Sequence, residues 1–149
     1  MDKIVPLIST RTVGPIGLAH LPRLWLKLRL AAAGKLAEGY RSGEGGFDGL
    51  LLEHLGISSD TISEYVSTSQ PDYLTFEAWI KETANPDSLT SDAIEQFNTR
   101  ILSFPKPEPG RTEMLTDLGI PDSGEEWLGT DINDLDDWLC FHKALSQAK

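Results

Sequence analysis

Period-two alternation of apolar and polar side chains, the mark of a half-buried strand, is absent from this 149-residue chain. Apolar residues recur instead at steps of three and four. Leu18, Leu21, Trp25, Leu28, Ala32 and Leu36 make one series; Ile94, Phe97 and Ile101 make another. Such steps put side chains on one face of a helix, and strand-favouring runs of Val, Ile and Thr are scarce. The fold class read from this is all-α. We expect a single compact domain over residues 1–149 with about six to seven helices. Hydrophobic residues make up 40% and charged residues 24%, which is enough apolar material for a packed core.

Glycine and proline divide the chain. Pro6, Gly14, Pro15 and Gly17 mark residues 1–17 as an extended arm. A long helix is predicted from about His20 to Tyr40, with Pro22 in its first turn, where a missing N–H costs nothing. Ala31, Ala32 and Ala33 leave room for another helix to approach. The stretch Ser42 to Gly49 holds four glycines and reads as a loop. Further helices are predicted over Phe47–Leu55, from Ser58 or Ser59 through Val66, over Tyr73–Ala84, from Thr90 or Ser91 through Leu102, over Glu113–Leu118 and over Ile132–Ala148. Leu55-Gly56-Ile57 and Leu118-Gly119-Ile120 carry the helix-ending signature of a glycine followed by an apolar residue. Pro105, Pro107 and Pro109 make residues 104–110 a stiff connector.

Charge is unevenly spread. Residues 1–41 hold seven bases and two acids, a net +5, and residues 42–149 hold six bases and 21 acids, a net −15. An acidic body repels phosphates and anionic lipids, so neither nucleic acid nor membrane is an expected partner. No apolar run approaches the ~20 residues that span a bilayer. The start, Met1-Asp2-Lys3, lacks the basic and apolar blocks of a signal peptide, and a cytoplasmic location is the expectation. One cysteine, Cys140, excludes an internal disulfide framework and a cysteine-built zinc site.

Several residues do not fit a plain helical core. On a wheel, His20, Arg23, Lys27, Gly34, Glu38 and Arg41 share one narrow sector, expected to face water. Arg29 falls nearly opposite, inside the apolar stripe. A buried guanidinium cannot shed its charge, so Arg29 is expected to be largely buried and paired with an acid. The partner would lie between Asp131 and Asp137, or be Glu38 or Glu77. An anion handle in a pocket is the functional alternative. His54 lies beside Phe47 and Leu51, and His142 continues the stripe of Ile132, Leu135 and Leu139. Each reads as a satisfied core histidine, or, with Arg29 and His20, as part of an acid–base set. Of the four tryptophans, Trp25, Trp79, Trp127 and Trp138, most are expected in the core, with one or two lining a cavity.

Two motifs fail on detail. Asp131, Asp134, Asp136 and Asp137 resemble a calcium loop, but Leu135 stands at the fifth position and the glycine is missing. They read as helix N-terminal acids favoured by the helix dipole, and no metal site is expected. Gly43, Gly45, Gly46 and Gly49 lack the Gly-Lys-Ser/Thr ending of a phosphate loop, and Glu44 and Asp48 would repel phosphate.

Gly17-Leu18-Ala19-His20-Leu21-Pro22-Arg23, then Lys27-Leu28-Arg29, then Gly34-Lys35-Leu36-Ala37-Glu38-Gly39-Tyr40 form a recognisable series. It resembles a family of small bacterial proteins catalogued as domain of unknown function 5069. Leu52, Leu55-Gly56-Ile57, Phe76, Trp79-Ile80 and the residues around Asp131 and Asp134 are similar too, over about residues 11–138. Leu26 stands where that family has an acid, and Gly39 splits its Glu-Tyr pair. The resemblance implies a fold and no activity.

The function read from these residues is binding or proton-transfer chemistry of isomerase, cyclase or lyase type on a small organic molecule, in a pocket between helices and without metal or cofactor. Arg29, Glu38, Tyr40 and His54 are the candidate catalytic groups. His20, Trp25, His142 and Trp138 are the candidate ligand-binding groups. The alternative is a non-catalytic acidic helical interaction module, with a homodimer as one form of it, whose acidic surface meets a basic protein partner. A closed pocket holding Arg29 and a histidine would favour the first reading; an exposed apolar patch and no cavity would favour the second.

Overall fold

Seven α-helices and one 3-10 turn make up the regular structure of residues 2–147, the residues that the computed structural model describes. No strand occurs among them, only two isolated bridges. The all-α expectation holds. The chain divides into two compact units, Met1–Ile101 and Leu102–Lys149.

In the first unit, α1 (Leu21–Ala32) is buried along Leu21, Leu24 and Leu28. Around it lie α2 (Gly46–Leu55), α3 (Ser59–Ser69), α4 (Tyr73–Thr83) and α5 (Ser91–Leu102), which contribute Leu51 and Leu55, Ile62 and Val66, Phe76 and Ile80, and Phe97 and Ile101. Full burial of each such side chain is worth about 1.5–3 kcal/mol. Capping fixes where the helices start. The side chains of Ser58 and Asp72 accept from Thr61 N at 3.1 Å and Thr75 N at 2.8 Å, and Thr90 Oγ1 accepts from Ala93 N at 3.2 Å. The two predicted glycine ends are present, with Gly56 at φ 71° and Gly119 at φ 72°.

The first helix is shorter than its apolar spacing suggests. It was expected to reach Tyr40 and stops at Ala32. Gly34 turns left-handed at φ 69°, and Lys35 N–H closes back onto Leu30 O at 2.8 Å. The chain then runs beside the arm. Ile4 N–H donates to Lys35 O at 2.6 Å, and Ala37 N–H donates to Ile4 O at 3.1 Å. A periodic pattern cannot reveal that these backbone groups find a partner outside the helix. Ala31, Ala32 and Ala33 are exposed, so no helix packs on them.

The second unit holds α6 (Gly110–Leu118) and α7 (Gly129–Gln147). The end of the last helix predicted at Ala148 lies outside the described residues. The proline-rich connector is extended as expected and is also paired: Lys106 N–H donates to Trp127 O at 2.7 Å and Gly129 N–H to Phe104 O at 2.8 Å. Arg111 clamps the loop between the two helices. Its Nη1 and Nη2 grip the Asp122 carboxylate at 3.0 and 2.7 Å, and its Nε and Nη2 donate to Glu125 O. That grip holds the Asp122 carboxyl at about 2, well below the usual carboxylate range.

The arm depends on one side chain. Arg23 is buried and its Nη1 donates to Pro6 O at 2.8 Å and Ile8 O at 2.9 Å. Arg23→Met removes both charge-assisted bonds and leaves those carbonyls unserved, at a cost of about 2–3 kcal/mol. We expect amide hydrogen exchange to accelerate first at residues 4–10. Unchanged protection there would show that the arm is held by something else.

Candidate functional site

Three of the buried polar side chains, Thr10, His20 and Asp48, are linked with Lys27 in one network around Asp48, in the first turn of α2. The Asp48 side chain is 1% exposed. Its Oδ1 meets His20 Nε2 at 2.5 Å, and its Oδ2 meets Lys27 Nζ at 2.9 Å and accepts from Gly43 N–H at 2.9 Å. His20 Nδ1 lies 3.0 Å from Thr10 Oγ1. The edge of Phe47 closes on the imidazole, with ring centroids 5.8 Å apart. The arm, both ends of α1's first two turns and the glycine loop thus meet at one carboxylate.

The hydrogen bonds define the protonation states. Burial alone would raise the Asp48 pKa. The hydrogen bond of His20 and the charge and hydrogen bond of Lys27 outweigh burial and bring it down to about 2. Burial lowers the His20 pKa, against the pull of Asp48. At neutral pH we therefore assign an ionised Asp48, a charged Lys27 and a neutral His20, which sum to zero charge. An ionised carboxylate only accepts, so His20 carries its proton on Nε2. Nδ1 is then an acceptor, and the Thr10 hydroxyl donates to it.

His20 is also a backbone anchor. It caps α1 with φ 75°, a left-handed conformation that is uncommon for any residue but glycine. Its N–H donates to Thr10 O at 2.8 Å. Just upstream, the Asn98 side chain accepts from Ala19 N–H at 2.8 Å and donates to Gly17 O at 2.7 Å. The strained turn is held by bonds on both sides.

The expected wet face of the first helix is therefore an interior face. His20 and Arg23 are buried and the Lys27 side chain is only 12% exposed. The wheel treated polar residues as solvent-facing, but the arm and residues 43–48 cover this side and supply its acceptors. Arg29 is the converse correction: it is half-buried rather than largely buried, and no ion pair joins it to Glu38 or Glu77.

The other candidates occupy separate surroundings. His54 is half-buried, its Nε2–H donates to Ser88 O at 2.9 Å, and its ring packs on Phe97 at 4.7 Å, which makes it the satisfied core histidine. Glu38 is exposed, and Tyr40 is half-buried under the Arg23 guanidinium, 6.0 Å from the ring centroid. Trp25 is half-buried; its indole N–H donates to Pro71 O at 3.0 Å and its ring meets Tyr73 edge-on. His142 is exposed on α7 rather than in a core stripe. None of the four tryptophans is fully buried, against expectation: Trp25, Trp79 and Trp127 are half-buried and Trp138 is 61% exposed.

Trp138 belongs to a second feature. On α7, Trp138, Phe141 and Leu145 are 61%, 41% and 58% exposed. The steps of three and four residues align them on one helical face. Asp134 and Asp131 continue that face toward the N-terminus of the helix. No group of three His, Cys, Asp or Glu side chains placed to hold a metal ion occurs among the described residues. No described helix is long and apolar enough to cross a membrane.

A family model described as domain of unknown function (DUF5069) matches residues 9–126. The chain belongs to that family. Among curated proteins nothing matches it. In this member of the DUF5069 family, the residues that carry the resemblance build the buried network: Gly17 receives the Asn98 bond, His20 and Lys27 hold Asp48, and Arg23 holds the arm. The match stops at residue 126, short of the 138 read from the sequence, so α7 lies beyond it. Asp48, Thr10 and Asn98 were missed as site residues. In sequence Asp48 stands in the glycine-rich stretch, where nothing local signals a buried ion pair with residues 20 and 27.

The network makes stability depend on pH with a definite sign. Below about pH 6.5 the unfolded chain protonates His20 while the folded chain resists, so stability falls as pH falls. A second loss follows between about pH 4 and 2, where Asp48 protonates in the unfolded chain before the folded one. We expect His20→Gln to flatten the first decline in melting temperature between pH 7 and 5. An equal slope in wild type and variant would refute the assignment of a neutral His20.

Proposed function

We propose that the chain is a non-catalytic helical interaction module, that the outer face of α7 is its docking surface, and that the partner is a basic amphipathic helix. The observation that carries this reading is the exposed row of Trp138, Phe141 and Leu145. Aromatic and large aliphatic side chains left in water at helical spacing are the anchors a groove-seeking or helix-pairing partner buries. Charge selects the sign of the partner. Asp131 and Asp134, each already engaged within the chain, lie on the same face, and the net charge of the chain is −10. A cationic helix gains from that net charge; a second copy of the chain brings like charges together.

The polar network at Asp48 supports the same reading. It is charge-balanced, and each of its members has an internal partner. A proton-transfer site acting on a small organic molecule needs a donor or acceptor left for substrate. Of Arg29, Glu38, Tyr40 and His54, the groups read for such chemistry from sequence, Arg29 is on α1, Glu38 and Tyr40 are on the segment that follows it, and His54 is on α2 against Ser88 and Phe97.

A lysine–leucine peptide of about 18 residues, patterned to form an amphipathic helix, is a suitable probe. We expect it to bind wild-type protein, to shift tryptophan emission toward the blue, and to bind more weakly in high salt. Trp138→Ser is expected to cut affinity about tenfold or more. A scrambled peptide of the same composition is expected to bind no better than that variant. Equal binding by wild type and Trp138→Ser would overturn the proposal. So would a sedimentation mass of a dimer that Trp138→Ser reduces to a monomer, because the occupant would then be a second copy.

A further inference from the structure

One titratable side chain stands at the edge of the apolar row on α7. His142 follows Trp138 by four residues and precedes Leu145 by three. At about 100° per residue it lies about 40° around the helix from Trp138. Residues four apart on a helix have Cβ atoms about 5–6 Å apart, so a partner laid on Trp138 also covers His142.

The imidazole is uncommitted. His142 is exposed, as are all of residues 141–147. Its backbone carbonyl accepts from Ser146 Oγ at 2.9 Å, but no hydrogen bond, ion pair or ring contact from a described residue reaches the ring. No charged group of another described element faces it. On its own helix, Lys143, Asp136 and Asp137 are turned about 100° or more away, and Asp131 and Asp134 lie two or more turns back. The other two histidines of the chain are engaged, His20 with Asp48 and His54 with Ser88 O. Histidine is the side chain whose charge ordinarily changes between pH 5 and 8.

Resting on the reading of α7 as the docking surface for a cationic helix, we infer that His142 is the pH switch of that surface: the partner docks on the neutral imidazole and is released when His142 takes up a proton. The neutral ring adds a flat, amphipathic contact beside the Trp138 anchor. The imidazolium sets a positive charge against a positive partner at a contact from which water is being expelled. It is also drawn to the face of the Trp138 indole one turn away, the face that the partner must cover.

The test titrates the lysine–leucine peptide, N-acetylated, into the full chain at pH 7.5 and at pH 5.5, a range in which lysine keeps its charge. Wild type is expected to bind about fivefold more weakly at the lower pH. In His142→Gln that loss is expected to disappear. His142→Lys, charged at both pH values, is expected to bind at pH 7.5 as weakly as wild type does at pH 5.5. All three proteins keep the His20–Asp48 network, so an effect of acid on folding is common to them. A loss in wild type no greater than that in His142→Gln would overturn the switch and leave the docking surface standing. Absence of binding by wild type at pH 7.5 would overturn the docking surface and the switch with it.

Discussion

The Asp48 carboxylate is the contact on which the first unit depends. It takes its hydrogen bonds from the cap of α1, from the second turn of the same helix and from the backbone of the glycine loop. Because it is buried, none of these donors competes with water, and each is held firmly. A buried carboxylate without a cation would be strongly unfavourable, so Lys27 must reach it. Its aliphatic stem lies along the covered face while its ammonium stays within 2.9 Å of Oδ2. His20 then stays neutral and passes the connection on to Thr10 and the arm. The left-handed turn at His20 persists because these bonds over-determine it.

Helices and their ends were legible in the sequence because they depend on local chemistry. Ser58, Asp72 and Thr90 cap helices; Gly56 and Gly119 end them. What stayed hidden was long-range pairing. Apolar periodicity to Leu36 promised a longer helix, and the arm at Ile4 claimed those backbone groups instead. The same arm inverted the wheel. Polar side chains at 20, 23 and 27 look solvated until the carbonyls of Pro6 and Ile8 and the carboxylate of Asp48 arrive. Arg29, which the wheel places on the apolar stripe, is half-buried. His54 was legible as a core histidine, although its acceptor at Ser88 was not.

The family match and the exposed apolar face fall on different stretches of chain. Residues 9–126 include every member of the Asp48 network, whereas α7 begins at Gly129. The shared segment builds an interior; the final helix presents a surface. In the proposed reading, the polar core specifies one arrangement of arm, helix and loop, and α7 is the element put forward for docking. Buried ionic contacts often contribute more to uniqueness of structure than to net stability, and that role fits a charge-balanced cluster with no free valence.

A single negative charge at Asp48, neutralised by Lys27, organises the arm, α1 and the glycine loop. The decisive measurement compares the unfolding free energies of Lys27→Met and of Lys27→Met combined with Asp48→Asn. Removing the lysine alone strands a buried carboxylate and is expected to cost about 3–5 kcal/mol. Removing the charge as well is expected to return part of that loss, so the double variant unfolds at higher denaturant than the single one. A Lys27→Met protein as stable as wild type, or a double variant less stable than Lys27→Met, would contradict the account.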